Sequence, residues 1–223
     1  MYQKIIVLVE GQTEERFAKT ILQPHLLTKN VDLAVTILNT KTVKDGANFK
    51  GGVTSYAQVK NDLTRLFYDS SAKLITTMLD YYALPTDFPG FSAQTGSCYE
   101  KTAHLEQEFA QNINKANFLP YLQLHEFEAL LFSSIDDIVD TMPNGDRKRV
   151  DLEAIKREFS NPEEINNRPE TCPSRRLLGL FPDYNKTVYG TLISSNIGLD
   201  VMRRECPHFN EWLVKLEAVG ATH

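Results

Sequence analysis

The segment Lys4-Ile5-Ile6-Val7-Leu8-Val9 runs without a break into Glu10-Gly11-Gln12-Thr13-Glu14-Glu15. An uninterrupted Ile/Val/Leu run is the pattern of a strand buried on both faces of a parallel sheet. A carboxylate, a glycine and an acidic helix start then follow, which places charge at the C-terminal rim of that sheet. In open α/β folds this rim is where ligands bind.

The same alternation continues along the chain. Thr13 is placed to cap a helix whose apolar stripe is Phe17, Ile21, Leu22 and Leu26. Val31 to Leu38 reads as a second strand, and Ser55 to Tyr68 as a helix with Val59, Leu63, Leu66 and Phe67 inward. Lys73 to Leu79 is a third strand ending at Asp80, and Tyr99 to Asn112 a further helix. Phe118 to Leu124 is a fourth strand, displaced toward an edge or past a bulge by Pro120. His125 to Phe132 has the apolar spacing of a helix. Beyond Met142 strands give way to a charged amphipathic helix over 150–159, a polar Pro-containing connection over 160–176, and short helices ending in Phe209 to Leu216. The expectation is an α/β fold, with a mostly parallel central sheet flanked by helices over 1–141 and a helical C-terminal subdomain over 142–223 packed on it.

Composition narrows the function. The chain has 223 residues, 42% hydrophobic and 24% charged, as in an ordinary globular protein. No apolar stretch nears the roughly 18 residues that cross a bilayer, and the N-terminus enters a strand without a signal-peptide pattern. A cytoplasmic location with no membrane partner is expected. Cys98, Cys172 and Cys206 are an odd, widely spaced set without a Cys-x-x-Cys pair, which argues against a disulfide framework and a zinc knuckle. A net charge of −5 is unlike that of a free-standing nucleic-acid binder. Any such role needs a metal, a local basic patch or a partner.

Glu10, Asp80 and Glu126 each end a predicted strand, so parallel strands bring all three to one rim. Glu14 lies one helical turn beyond Glu10 and can join them. Glu128 points elsewhere unless the first turn after Glu126 is irregular. Clustered carboxylates repel one another and are stabilised by a hard divalent cation, Mg²⁺ or Mn²⁺ for oxygen-only ligands. Such metals activate water and stabilise a departing oxygen in phosphodiester cleavage. The plain alternative is that each acid starts a helix, favours the macrodipole and faces solvent.

Val9-Glu10-Gly11, together with the acid that ends a later strand, resembles the TOPRIM domain, a metal-binding module of topoisomerases, primases and overcoming-lysogenization-defect (OLD) type nucleases. The order VEGQTEERF, TTMLDYYALP, YLQLHEFEALLF, PETCPSRRL, FPDYNK and IGLDVMRRECPHFNEWL resembles, over nearly the whole chain, a bacterial TOPRIM-related family of unknown function. The resemblance makes Glu10 the TOPRIM glutamate and Asp80 the first aspartate of an Asp-x-Asp motif. Here Tyr82 stands where the second aspartate belongs. Glu126 or Glu14 is left to replace it, with His125 as ligand, proton carrier or supporting residue. The resemblance implies a metal-dependent nuclease acting on DNA or tRNA beside a separate ATPase in anti-phage defence, since no Walker motif occurs in this chain. The alternative is a non-catalytic TOPRIM-fold subunit that binds and regulates a partner.

Phosphate contacts are expected from Lys44 and Lys50 in the Lys/Gly stretch over 41–52, and from Arg175 and Lys186. Tyr81 and Tyr82 are placed to stack on a base or to line the site wall. His125-Glu126-Phe127-Glu128 lacks the second histidine of a zinc protease, and no Gly-x-Ser-x-Gly elbow supports a serine hydrolase.

Overall fold

The computed structural model describes residues 2–39, 53–166 and 169–221. Strand β1 (Gln3–Val9) lies between β2 (Val31–Ile37) and β3 (Ala72–Asp80) and runs parallel to both. On the far side of β3 are two short parallel pieces, β4 (Phe118–Leu119) and β5 (Leu122–Gln123). The order β2-β1-β3-β4 puts the reversal of chain progression between β1 and β3. Glu10 and Asp80 follow and end these two strands, so they stand at the switch point where open α/β sheets bind ligands.

Alternation along β1 divides the core in two. Ile5, Val7 and Val9 join one apolar cluster and Ile6 and Leu8 the other, all of them buried. At about 1.5–3 kcal/mol per fully buried aliphatic side chain, this strand is a principal source of stability. The first helical passage is α1 (Gln12–Phe17), a π-helical turn (Ala18–Leu22) and α2 (Gln23–Leu27). The widened turn precedes Pro24, whose ring cannot be accommodated by a regular α-helical ladder. α3 (Tyr56–Leu66) and α4 (Cys98–Ile113) cover the Ile6/Leu8 face. A full capping box starts α4, Ser97 accepting from the Glu100 N–H while Glu100 accepts from that of Ser97.

The Ile5/Val7/Val9 face is covered by α1, the segment after β5 and the C-terminal helices: α5 (Ile135–Thr141), α6 (Arg149–Arg157), α7 (Pro173–Leu180), α8 (Thr191–Ile197), α9 (Leu199–Glu205) and α10 (Pro207–Ala221). Leu152, Leu177, Met202 and Leu213 share one continuous core with Val7 and Phe17. α10 approaches the sheet so closely that a Cβ on Gly220 would stand 1.8 Å from the Lys29 carbonyl oxygen.

Pro120 interrupts the outer strand, which lies at the sheet edge as its ring requires. The register is the same on both sides of the break, so no bulge residue is inserted. Thr77 repairs the gap: its hydroxyl donates to the Tyr121 carbonyl at 2.9 Å and accepts from the Tyr121 N–H at 3.0 Å.

Two local expectations change. Thr13 does not cap the first helix; Gly11 precedes it, and Thr13 is buried inside the first turn. The segment after β5 is not an α-helix but a 3₁₀-helix, Phe127–Ser133, buried at every position. A segment enclosed on all sides has no solvent face to impose the 3.6-residue period. Among the described residues no helix is long and apolar enough to cross a membrane.

Candidate functional site

Glu10, Glu14, Asp80 and Glu128 meet around the ammonium of Lys186. Lys186 Nζ lies 3.1 Å from Glu14 Oε1, 3.2 Å from Glu128 Oε2 and 3.5 Å from Asp80 Oδ2. Glu10 enters through the backbone, its Oε2 accepting the Asp80 N–H at 3.2 Å. Asp80 also accepts the Phe127 N–H at 2.9 Å, which ties β3 to the start of the 3₁₀-helix. Glycine at position 11 leaves room for this arrangement, since a Cβ there would stand 3.2 Å from Glu14 Oε2.

The electrostatics are those of an undercompensated acidic pocket. Among the described residues four carboxyl groups share one ammonium, and Glu14, Asp80 and Glu128 are all buried. Burial, with the neighbouring Glu14 charge, lifts the Glu10 pKa to about 7. Burial also lifts Glu128 to about 7, against the lowering effect of Lys186. Asp80 is raised well above its ordinary value, again chiefly by burial. For Lys186 burial favours the neutral amine, but Asp80, Glu128 and Glu14 outweigh it and hold the pKa well above normal. Neither Glu128 oxygen meets full hydrogen-bond geometry; Lys186 stands at ion-pair distance, and the buried Tyr184 hydroxyl lies beside the carboxylate.

This donor set suits a hard divalent cation. Its donor atoms are all oxygen, and among the described residues its carboxylates outnumber the ammonium. As the side chains stand, the lysine occupies the centre. Among the described residues no three His, Cys, Asp or Glu side chains are grouped to hold an ion.

Glu126 lies elsewhere. Its backbone is extended, and its carboxylate accepts from the Ser174 N–H at 2.5 Å and from the Ser174 hydroxyl at 3.0 Å, at the start of α7. The cluster contains Glu128 instead, because the irregular 3₁₀ turn brings that residue round. The sequence signal for Glu128 is a lone acid inside the apolar run Phe127-Glu128-Ala129-Leu130-Leu131-Phe132, where a buried charge must find a partner.

His125 is buried in a left-handed conformation, φ 61°, uncommon for a residue with a Cβ. Its carbonyl accepts the Tyr82 N–H at 2.9 Å, and its Nε2 is buried without a partner. Burial lowers its pKa to about 4, so the ring is neutral at physiological pH. Arg175 is exposed on α7, near enough to Tyr82 to bear on the ionisation of its phenol. Lys44 and Lys50 lie outside the described residues.

No curated protein and no solved structure matches the chain. The model of one protein family does match, over residues 9–217, a span that includes Glu10, Glu14, Asp80, Glu128 and Lys186. The chain therefore belongs to the family described as domain of unknown function DUF4276.

Proposed function

We propose that this protein is a divalent-metal-dependent phosphodiesterase, a nuclease of TOPRIM-like design, with Glu10, Asp80, Glu14 and Glu128 as its metal-holding carboxylates. The observation that carries this reading is the gathering of four carboxylates at the β1/β3 switch point around a single cation. A bound Mg²⁺ or Mn²⁺ supplies Lewis-acid polarisation of a phosphoryl oxygen and a water of lowered pKa. The Asp80–Phe127 and Glu10–Asp80 hydrogen bonds hold two carboxylates in place before any ligand arrives. Lys186 partly offsets the charge of the cluster at rest and, among the described residues, is placed to contact a phosphate bound there. Glu126 orients the start of α7 through Ser174. The low pKa of His125 suits a neutral partner rather than a general acid at pH 7. An acidic chain of net charge −5 gains little from the electrostatic binding of polyanions, so delivery of substrate by a separate ATPase subunit belongs to this reading.

A second reading is favoured by the three ion pairs of Lys186. In it the lysine is a permanent counter-ion, and the protein is a non-catalytic subunit that regulates a partner. Calorimetric titration with Mn²⁺ separates the two. The wild type is expected to bind Mn²⁺, with the binding lost in Glu10→Ala and Asp80→Ala proteins whose circular dichroism is unchanged. Mn²⁺-dependent cleavage of plasmid DNA or tRNA is expected to disappear with it. Mn²⁺ binding that is absent, or indifferent to both substitutions, refutes the hydrolase and leaves the regulatory subunit.

A further inference from the structure

A cleft of about 570 Å³ is lined in part by Tyr81, Tyr82 and His125. Its size is within the range of small-ligand sites, roughly 300–1,000 Å³. Two of its walls are chain neighbours of the cluster: Tyr81 and Tyr82 directly follow Asp80, and His125 lies between β5 and the 3₁₀-helix that carries Glu128. Their positions are fixed by the backbone. Tyr82 N–H donates to the His125 carbonyl, and the Tyr81 hydroxyl donates to Gln94 at 2.5 Å.

The lining combines π-faces with acceptors. Tyr82 is 39% exposed, and Phe159 is a half-buried second aromatic. Glu158 and Glu164 supply carboxylates and Lys101 an ammonium. Arg176 lies behind the Phe159 ring, 5.4 Å from its centroid, and pairs with Glu158 at 3.7 Å. The His125 ring meets Tyr81 edge-on at 6.2 Å, and its buried Nε2 has no partner. A left-handed backbone at a non-glycine residue is kept where the surroundings enforce it, and such residues concentrate at functional sites.

We infer that this cleft binds one unpaired nucleobase, stacked on Tyr82 and read at its N–H edge by the Glu158 and Glu164 carboxylates. A planar heterocycle with exocyclic amino groups matches both halves of the lining: rings for its face, anionic acceptors for its edge. A base inside a duplex is stacked on both faces and cannot enter, so the ligand is a single-stranded segment or a free nucleotide. The inference rests on the phosphodiesterase reading for its choice of a nucleotide, and the base site is testable without metal.

Binding is measured in EDTA by fluorescence anisotropy of a labelled single-stranded hexanucleotide of mixed sequence. The competitors are the same sequence as a duplex and the four nucleoside 5′-monophosphates. The single strand is expected to bind and the duplex not to compete, with Tyr82→Ala, an exposed-ring substitution, weakening binding by about 5- to 100-fold, the range for loss of one base–aromatic stack. Competition by a monophosphate identifies a free nucleotide as sufficient, and competition by the unlabelled strand alone identifies a strand. Tyr82→Phe, which retains the ring, is expected to bind as the wild type does. Equal binding by Tyr82→Ala, equal binding of duplex, or no binding of any probe overturns the inference. Loss of Mn²⁺ binding with Tyr82-dependent strand binding intact overturns only the hydrolase.

Discussion

The Lys186 ammonium stands 3.2 Å from Glu128, a carboxylate at 0% exposure. The lysine is therefore the group that makes Glu128 tolerable in the interior, and it joins the C-terminal helices to the sheet rim. Removing one partner of a fully buried ion pair costs about 3–5 kcal/mol. The Lys186 side chain is 37% exposed, so screening reduces the expected loss for Lys186→Met to about 1–3 kcal/mol at pH 8. If the carboxylates are metal ligands, Mn²⁺ binds this variant more tightly than the wild type and restores its urea midpoint. A midpoint that Mn²⁺ leaves unmoved assigns the lysine a purely structural role.

Stability should fall as pH rises between about 4.5 and 7. Glu10 and Glu128 titrate near 7 in the folded protein and near 4.5 when unfolded. Across that window the folded state holds protons that the unfolded chain has released, so the slope of unfolding free energy against pH is negative. The stabilisation is complete below 4.5 and lost as pH passes 7. Glu10→Gln with Glu128→Gln is expected to flatten the profile, measured as urea midpoints from pH 4.5 to 8.

Metal binding, where it occurs, must displace the same protons. The apparent Mn²⁺ affinity is expected to rise with pH below 7, roughly tenfold per unit for each proton displaced. Calorimetry in buffers of different ionisation enthalpy counts those protons. A pH-independent affinity places the ion away from Glu10 and Glu128.

Glu163 should be a strong stability determinant although it is remote from the cluster. Fully buried, it accepts the His208 and Phe209 N–H groups, each at 2.9 Å, and so supplies the cap that the start of α10 lacks in its own sequence. Burial raises its pKa while these two N–H donors oppose the shift. Glu163→Ala leaves both donors unpaired and is expected to cost about 2–3 kcal/mol in urea unfolding, with Glu163→Gln costing less.

Thr77→Val tests the repair of the edge strand. The substitution is isosteric but removes the hydroxyl that serves both backbone groups of Tyr121. An expected loss of about 1–3 kcal/mol follows from burying them unpaired. Faster amide exchange at Tyr121 locates the damage.

β1 was legible because burial on both faces writes itself as an unbroken Ile/Val/Leu run, β2 through its β-branched residues and partial alternation, and Pro120 set the fourth strand toward an edge. The convergence of Glu10 and Asp80 followed from parallel pairing, since strand ends of one direction share a rim, and Glu14 joins them one helical turn on. Glu126 and Glu128 could not be sorted in advance. Which of them faces the rim depends on a left-handed residue at His125 and on a 3₁₀ rather than α-helical turn, and both are set by tertiary enclosure. Glu163 was hidden for a related reason, because it caps a helix some forty-five positions away, beyond any local capping pattern.

Trp212 donates its indole N–H to Thr76 of β3 at 2.9 Å and stacks on Tyr121 at 4.3 Å between centroids. It is the single tryptophan of the chain. The protein thus carries an optical reporter at the seam between its last helix and its sheet. A red shift of its emission before loss of far-ultraviolet ellipticity would show α10 lifting away while the sheet persists, and coincident changes would show helix and sheet melting as one body.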